Sequence, residues 1–193
     1  MSPPDLRLLG PLPGRRVLLL GTGDGSLILS LATGGAHVIG VDPSAARLAE
    51  VRRTMGAGPL DVEVHQADLA DLAFIRADTV DSALSLALGS VPDLDRLLRQ
   101  VHRVLKAESP LVCSLDHPSA DLVDTSGDGP PVVRRSYFER GMVGDHLHRP
   151  LADLFTSFTR AHFRIDTLLE PEGAARTALV PPTLVLRARK IGT

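Results

Sequence analysis

Val17-Leu18-Leu19-Leu20 runs without a polar residue straight into Gly21-Thr22-Gly23-Asp24-Gly25. Leu27, Ile28 and Leu31 then recur at helical spacing until Gly34-Gly35. This succession of strand, glycine turn and helix constrains the fold more than any other feature. A short continuous apolar run is the pattern of a strand buried on both faces, which requires layers above and below it. Glycines at such a turn let the backbone approach a ligand where a Cβ would clash. A tight strand-to-helix turn with no ligand is the alternative, and the loop alone does not separate the two. The nicotinamide fingerprint places its third glycine three positions after the second, where this chain has Ser26, which disfavours a dinucleotide.

The alternation continues along the chain. His37 to Val41 reads as a second strand closing on Asp42-Pro43, and Ser44 to Met55 as a helix stopped by Gly56. Val62 to His65 is a third strand ending near Asp68, and Thr79 to Leu86 a fourth. Asp93 to Lys106 is an amphipathic helix, and Leu111 to Leu115 a fifth strand. Residues 118–149 lose all periodicity and read as a long loop on the substrate side. A helix follows over Pro150 to Thr159, then strands at Phe163–Leu169 and Thr183–Arg189 with no helix between them. Two consecutive strands without a crossover are most simply antiparallel. The expected fold is one α/β domain over 1–193, with a doubly wound, mostly parallel seven-stranded sheet. An antiparallel hairpin closes its C-terminal edge, and helices lie on both faces.

Composition removes several function classes. The chain has 193 residues, with 21 basic and 23 acidic side chains, no Trp, one Tyr and five Phe. Near-balanced charge and scarce aromatics give neither the basic face nor the stacking platform of a nucleic-acid binder. The single Cys113 excludes an intrachain disulfide and a Cys-based zinc site, and sits in an apolar run as a buried thiol. No apolar stretch reaches the roughly 18 residues of a membrane span. Met1-Ser2-Pro3-Pro4-Asp5 lacks the basic-then-apolar pattern of a secretory signal, so the expected location is the cytoplasm.

Two acids stand at the strand ends where open parallel sheets bind ligands. Asp42 can accept from both hydroxyls of a ribose or cap the following helix, and Asp68 can accept from an adenine amino group or cap its own turn. With these in place, residues 17–190 resemble a class I S-adenosylmethionine-dependent methyltransferase. Val17 to Gly25 is similar to the family's first motif, and Val41-Asp42-Pro43-Ser44 to its ribose motif. Gln66-Ala67-Asp68-Leu69 is similar to the adenine motif, Val80-Asp81-Ser82-Ala83 with Val91-Pro92-Asp93 to the fourth-strand motif, and Arg103-Val104-Leu105-Lys106 to the segment before the fifth strand. Ser114 to Pro118, His148 to Leu151 and Leu169 to Glu172 resemble a bacterial subgroup of small-molecule methyltransferases.

The resemblance implies S-adenosylmethionine as cofactor and S-adenosylhomocysteine as product. Gly21, Thr22, Gly23, Gly25, Asp42, Pro43, Asp68, Leu69, Ser85 and Leu86 would form the cofactor side. His117, just past the fifth strand, is the candidate general base, with a loop-bracing histidine as the alternative. Tyr137, Phe138 and His148 are placed on the substrate side. His146 and His148 have the spacing of metal ligands, but a long loop does not promise convergent ligands, and no metal is expected. Leu19 departs from the family, which carries an acid there beside the methionine ammonium, and Ala107 to Pro110 replaces a Pro-Gly-Gly turn. Sixteen residues precede the first strand, where relatives spend more chain on covering helices. A partner chain or second copy could therefore cover the site. Two readings result: methyl transfer to N, O or C of a small metabolite, or a degenerate methyltransferase fold serving as a non-catalytic subunit.

Overall fold

The computed structural model describes residues 6–56, 60–124, 131–172 and 179–192. The elements are β1 (Arg16–Leu20), α1 (Ser26–Thr33), β2 (His37–Asp42), α2 (Ala45–Met55), β3 (Val62–Gln66), β4 (Ser82–Ser85), α3 (Leu94–Val104) and β5 (Pro110–Asp116). Two small ribbons follow, β6 (Val123–Asp124) with β7 (Val132–Val133), and β8 (Gly141–Val143) with β9 (His146–His148). The chain closes with α4 (Leu151–Arg160), β10 (Phe163–Leu169) and β11 (Thr183–Lys190).

The main sheet has seven strands in the order β10-β11-β5-β4-β1-β2-β3. β3, β2, β1, β4 and β5 run parallel, while β11 is antiparallel to both β5 and β10. This is the expected doubly wound sheet with its reversed edge. The period-2 alternation of β1 explains why it is apolar throughout. Val17 and Leu19 enter one core with Ile28 and Leu31 of α1 and Val51 of α2. Leu18 and Leu20 enter the opposite core with Leu97 and Leu98 of α3 and Phe158 of α4. Each fully buried Leu contributes about 1.5–3 kcal/mol relative to exposure, so the central strand fixes both faces at once.

Three boundaries move. The fourth strand is shorter than the span Thr79–Leu86, holding to the sheet over Ser82–Ser85, with Val80 bridging Leu105 beyond it. The third helix starts at Leu94 because Asp93 leaves the helix to cap it, its carboxylate accepting from the Arg96 N–H. The stretch expected as one loop, 118–149, contains the two ribbons. Gly144, at φ 59°, turns β8 back as β9. In that ribbon His146 and His148 point to the same side, as residues two apart on a strand must.

Candidate active site at the strand ends

The glycine loop is held in a shape that favours glycine. Gly21, Gly23 and Gly25 have φ of 81°, 57° and 85°, the left-handed region that L side chains rarely adopt. A Cβ on Gly21 would stand 2.6 Å from Ala87 Cβ, so the loop lies directly against the end of β4. A Cβ on Gly23 would meet nothing within 4 Å, so that side of the loop faces open space. Asp24 stands just ahead of α1, where its Oδ1 accepts from the Ser26 N–H at 3.0 Å and Oγ at 2.7 Å, bonds that hold its carboxyl below the usual range. A carboxylate near a helix N-terminus disfavours a second anion there. The same charge suits a cationic ligand such as a sulfonium.

Asp42 is fully buried at the end of β2. Its Oδ2 accepts from the Thr22 N–H at 2.9 Å and Oγ1 at 3.1 Å, and its Oδ1 from the Ser44 N–H at 2.9 Å. A carboxylate offers about four acceptor positions, so one remains for a ligand hydroxyl while Thr22 stays in place. Ser44 is the cap of α2, accepting from the Arg47 N–H. Asp42 instead ties the glycine loop to β2, beside Pro43. Asp68 is exposed and braces its own turn through Ala70 N–H at 2.7 Å, while Leu69 is buried in the α3-side core. Ser85 is buried with its Oγ accepting from the Ala87 N–H, and Leu86 is half-buried at the β4 end. Leu19 lies fully buried in the α1-side core, and this chain has no carboxylate at that position.

Next to this loop lies a cavity of about 250 Å³ between the ends of β4 and β5 and the β8–β9 ribbon. Its walls include Arg47, Leu86, Ala87, Asp116, His146 and Arg149. A larger groove of about 750 Å³ lies between the start of α3, the ribbon and α4, with His148 in its wall; neither cavity is lined by the glycine loop itself. Arg149 donates to the carbonyls of Gly89, Val91 and Pro92 and so sets the path of the chain between β4 and α3. Burial pushes its guanidinium down from its ordinary value.

The four residues expected on the acceptor side are placed differently. His117 is buried, with Nδ1 accepting from the Ser119 N–H at 3.1 Å and Nε2 2.9 Å from Glu170 Oε1. Its Nδ1 lone pair is thus occupied, and the ring braces the β5 exit. His148 is fully buried between Asp121 Oδ2 at 2.7 Å and the Tyr137 carbonyl at 2.9 Å, and is a brace as well. The Tyr137 hydroxyl accepts from the Leu151 N–H at 2.8 Å, fastening the loop to the start of α4. Phe138 is 77% exposed and packs edge-on against the Tyr137 ring. None of these four lines the 250 Å³ cavity. Of the groups that do line it, Asp116 ends β5, while Asp121 and His146 sit in a polar stretch with no periodicity to mark them. The one signal was the spacing of His146 and His148.

A family model described as a methyltransferase domain matches residues 17–108, the span from β1 to just before β5. An S-adenosylmethionine-dependent methyltransferase from Mesorhizobium loti superposes with a TM-score of 0.79 at 28% identity, over 95% of this chain and 94% of that one. Over the first half of the chain in sequence, and over nearly all of it in fold, the protein is similar to S-adenosylmethionine-dependent methyltransferases. Among curated relatives, demethylmenaquinone methyltransferase of Clavibacter sepedonicus is 35% identical over 133 residues, 68% of this chain and 49% of the relative. The ubiquinone/menaquinone biosynthesis C-methyltransferase of Rubrivivax gelatinosus is 31% identical over 108 residues, 56% of this chain and 42% of the relative. The chain thus spans about half the length of the curated relatives it matches. The family's cofactor is S-adenosylmethionine, and the left-handed glycine loop, the Asp24 charge and the remaining acceptor position on Asp42 fit such a group.

Proposed function

We propose that this methyltransferase transfers a methyl group to a small aromatic acceptor of the hydroquinone type. S-adenosylmethionine supplies an electrophilic methyl on a sulfonium centre. On this reading Gly21, Thr22, Gly23 and Gly25 lie along it, Asp42 beside Pro43 takes a ribose hydroxyl, and Asp68, Leu69 and Leu86 border the adenine. Ser85 fixes the β4 exit from beneath. One observation carries the proposal: Gly21 abuts Ala87, and Ala87 is also a wall of the 250 Å³ cavity. Donor loop and acceptor cavity therefore share a boundary, as displacement at near-attack distance requires. The half-apolar lining through Leu86, Ala87, Leu115 and Leu154 suits an aromatic ring. The relatives are named for demethylmenaquinone and for ubiquinone/menaquinone biosynthesis, which belong to the same chemical class.

The test has two arms. Thermal unfolding with S-adenosylmethionine, S-adenosylhomocysteine and NADH should show a rise with both adenosyl ligands and none with NADH. At about 100 times the dissociation constant a ligand adds about 2.7 kcal/mol, which for a domain of this size is roughly 5–10 °C. Transfer of labelled methyl to 1,4-naphthohydroquinone should then be detectable. Leu19, apolar where the family has an acid, favours the second reading of a non-catalytic subunit. No thermal response to any of the three ligands would select that reading.

A further inference from the structure

We propose that His146 is the base that takes the acceptor's hydroxyl proton, aligned by the buried Asp121 and relayed to solvent by Asp116. The inference rests on the hydroquinone reading above. It follows from the partners of two histidine rings, His146 and His148, and two carboxylates, Asp121 and Asp116.

His148 Nε2 faces the Tyr137 carbonyl, which can only accept, so that nitrogen carries a hydrogen. The other ring nitrogen, Nδ1, lies 2.7 Å from Asp121 Oδ2. One proton is therefore shared across that contact, and Oδ2 is committed to His148. Asp121 itself is only 5% exposed in its side chain, so its remaining oxygen needs a donor. His146 Nε2, 2.8 Å from Oδ1, supplies it. With Nε2–H donating, the lone pair of His146 is on Nδ1. That atom stands 3.5 Å from Asp116 Oδ2 and 3.8 Å from Asp145 Oδ1, ion-pair distances that favour the ring once it has taken a proton, and all three residues line the 250 Å³ cavity.

The ring is set by sterics as well as by hydrogen bonds. A Cβ on Gly89 would stand 3.3 Å from His146 Cβ, so a glycine in the chain between β4 and α3 is what lets β9 come this close. Asp121 holds two histidines of one strand, and it fixes the one facing the cavity in the tautomer a base requires. The charged groups around the cavity are Asp116, Asp121 and Asp145 on one side of the balance and Arg47 and Arg149 on the other.

The step is balanced. The acceptor O–H bond breaks and an N–H bond forms at His146 Nδ1. The electron pair left on oxygen, delocalised into the ring, becomes the nucleophile toward the sulfonium methyl, whose bond to sulfur would break with its electron pair staying on sulfur in S-adenosylhomocysteine. The imidazolium is then stabilised between Asp121 and Asp116. Asp116, with 43% of its side chain exposed, passes the proton to solvent.

The experiment uses the full chain and a series of ring-substituted 1,4-naphthohydroquinones of increasing hydroxyl acidity. His146→Gln should lose about 10²–10⁴-fold in kcat/KM on the least acidic member. The loss should shrink toward none on the member already ionised at the assay pH, because no proton remains to be removed. Asp121→Asn should show the same acidity-dependent loss while binding S-adenosylhomocysteine as the parent does. A loss of equal size across the series, or no loss, would overturn the assignment. Nitrogen-15 spectra of the labelled histidines give a readout independent of turnover: His146 should carry its hydrogen on Nε2, and the opposite tautomer would also overturn it. A parent that binds S-adenosylhomocysteine but methylates none of the series overturns the acceptor reading and this inference together.

Discussion

At the residue scale, two buried groups lead to opposite expectations. Asp42 has no exposure, yet it is bonded to Thr22 within the glycine loop, so a ligand on that loop would lie close to its carboxylate. Asp42→Ala removes a charged acceptor worth about 1.5–3 kcal/mol. S-adenosylhomocysteine affinity measured by calorimetry should therefore fall by roughly 10–150-fold. An unchanged affinity would remove Asp42 from the cofactor side. Cys113 is also fully buried, but in the α3-side core, where burial pushes its thiol far up. It should resist iodoacetamide in the native chain and react only on unfolding. Asp42 was legible in the sequence because it ends a strand. Asp121 was not, because nothing local distinguishes it from the other acids of its stretch; a partner 25 residues away gives it a role.

At the scale of elements, the β8–β9 ribbon is held by side-chain bonds from its two histidines to Asp121 and the Tyr137 carbonyl. The Tyr137 hydroxyl accepts from Leu151 N–H, and His148 returns a bond to the Tyr137 carbonyl. Tyr137→Phe leaves the first N–H of α4 unpaired at a cost of about 1 kcal/mol. Amide exchange should accelerate at Leu151 and in β9 while β1 and β5 keep their protection. Uniform acceleration across the main sheet would contradict this. Elements with a long hydrophobic period, such as α3 with Leu94, Leu97, Leu98, Val101 and Val104 buried, were legible from the sequence. The ribbon was not, since strands of three residues with exposed Met142 carry no period to count.

Across the whole molecule, the sheet edge opposite the glycine loop is tied by a single carboxylate. Asp81 accepts from Arg15 Nη1, the Arg16 N–H and Lys106 Nζ, joining the starts of β1 and β4 to the chain after α3. Burial pushes its carboxyl up, but these hydrogen bonds outweigh it and hold it below its ordinary value. The folded value is thus below the unfolded one, and the stability it contributes is present above about pH 4 and lost as pH falls through the folded value. Asp81→Asn should unfold more readily than the parent at pH 7, with the difference closing below about pH 4. Ligand binding should persist, because the site lies at the other ends of the strands. A gap independent of pH would assign the loss to shape rather than charge. The sequence by itself determined the layered α/β fold, the sheet's reversed edge and the glycine loop. Each of these follows from local period, turn chemistry and the spacing of a short motif. Only the tertiary structure decided which histidine faces the cavity. His117, His146 and His148 are equivalent as residues, and their roles differ because Ser119, Asp116 and Tyr137, respectively, sit against a ring nitrogen of each. Those partners are set by how β5, the ribbon and α4 pack, which no local pattern encodes.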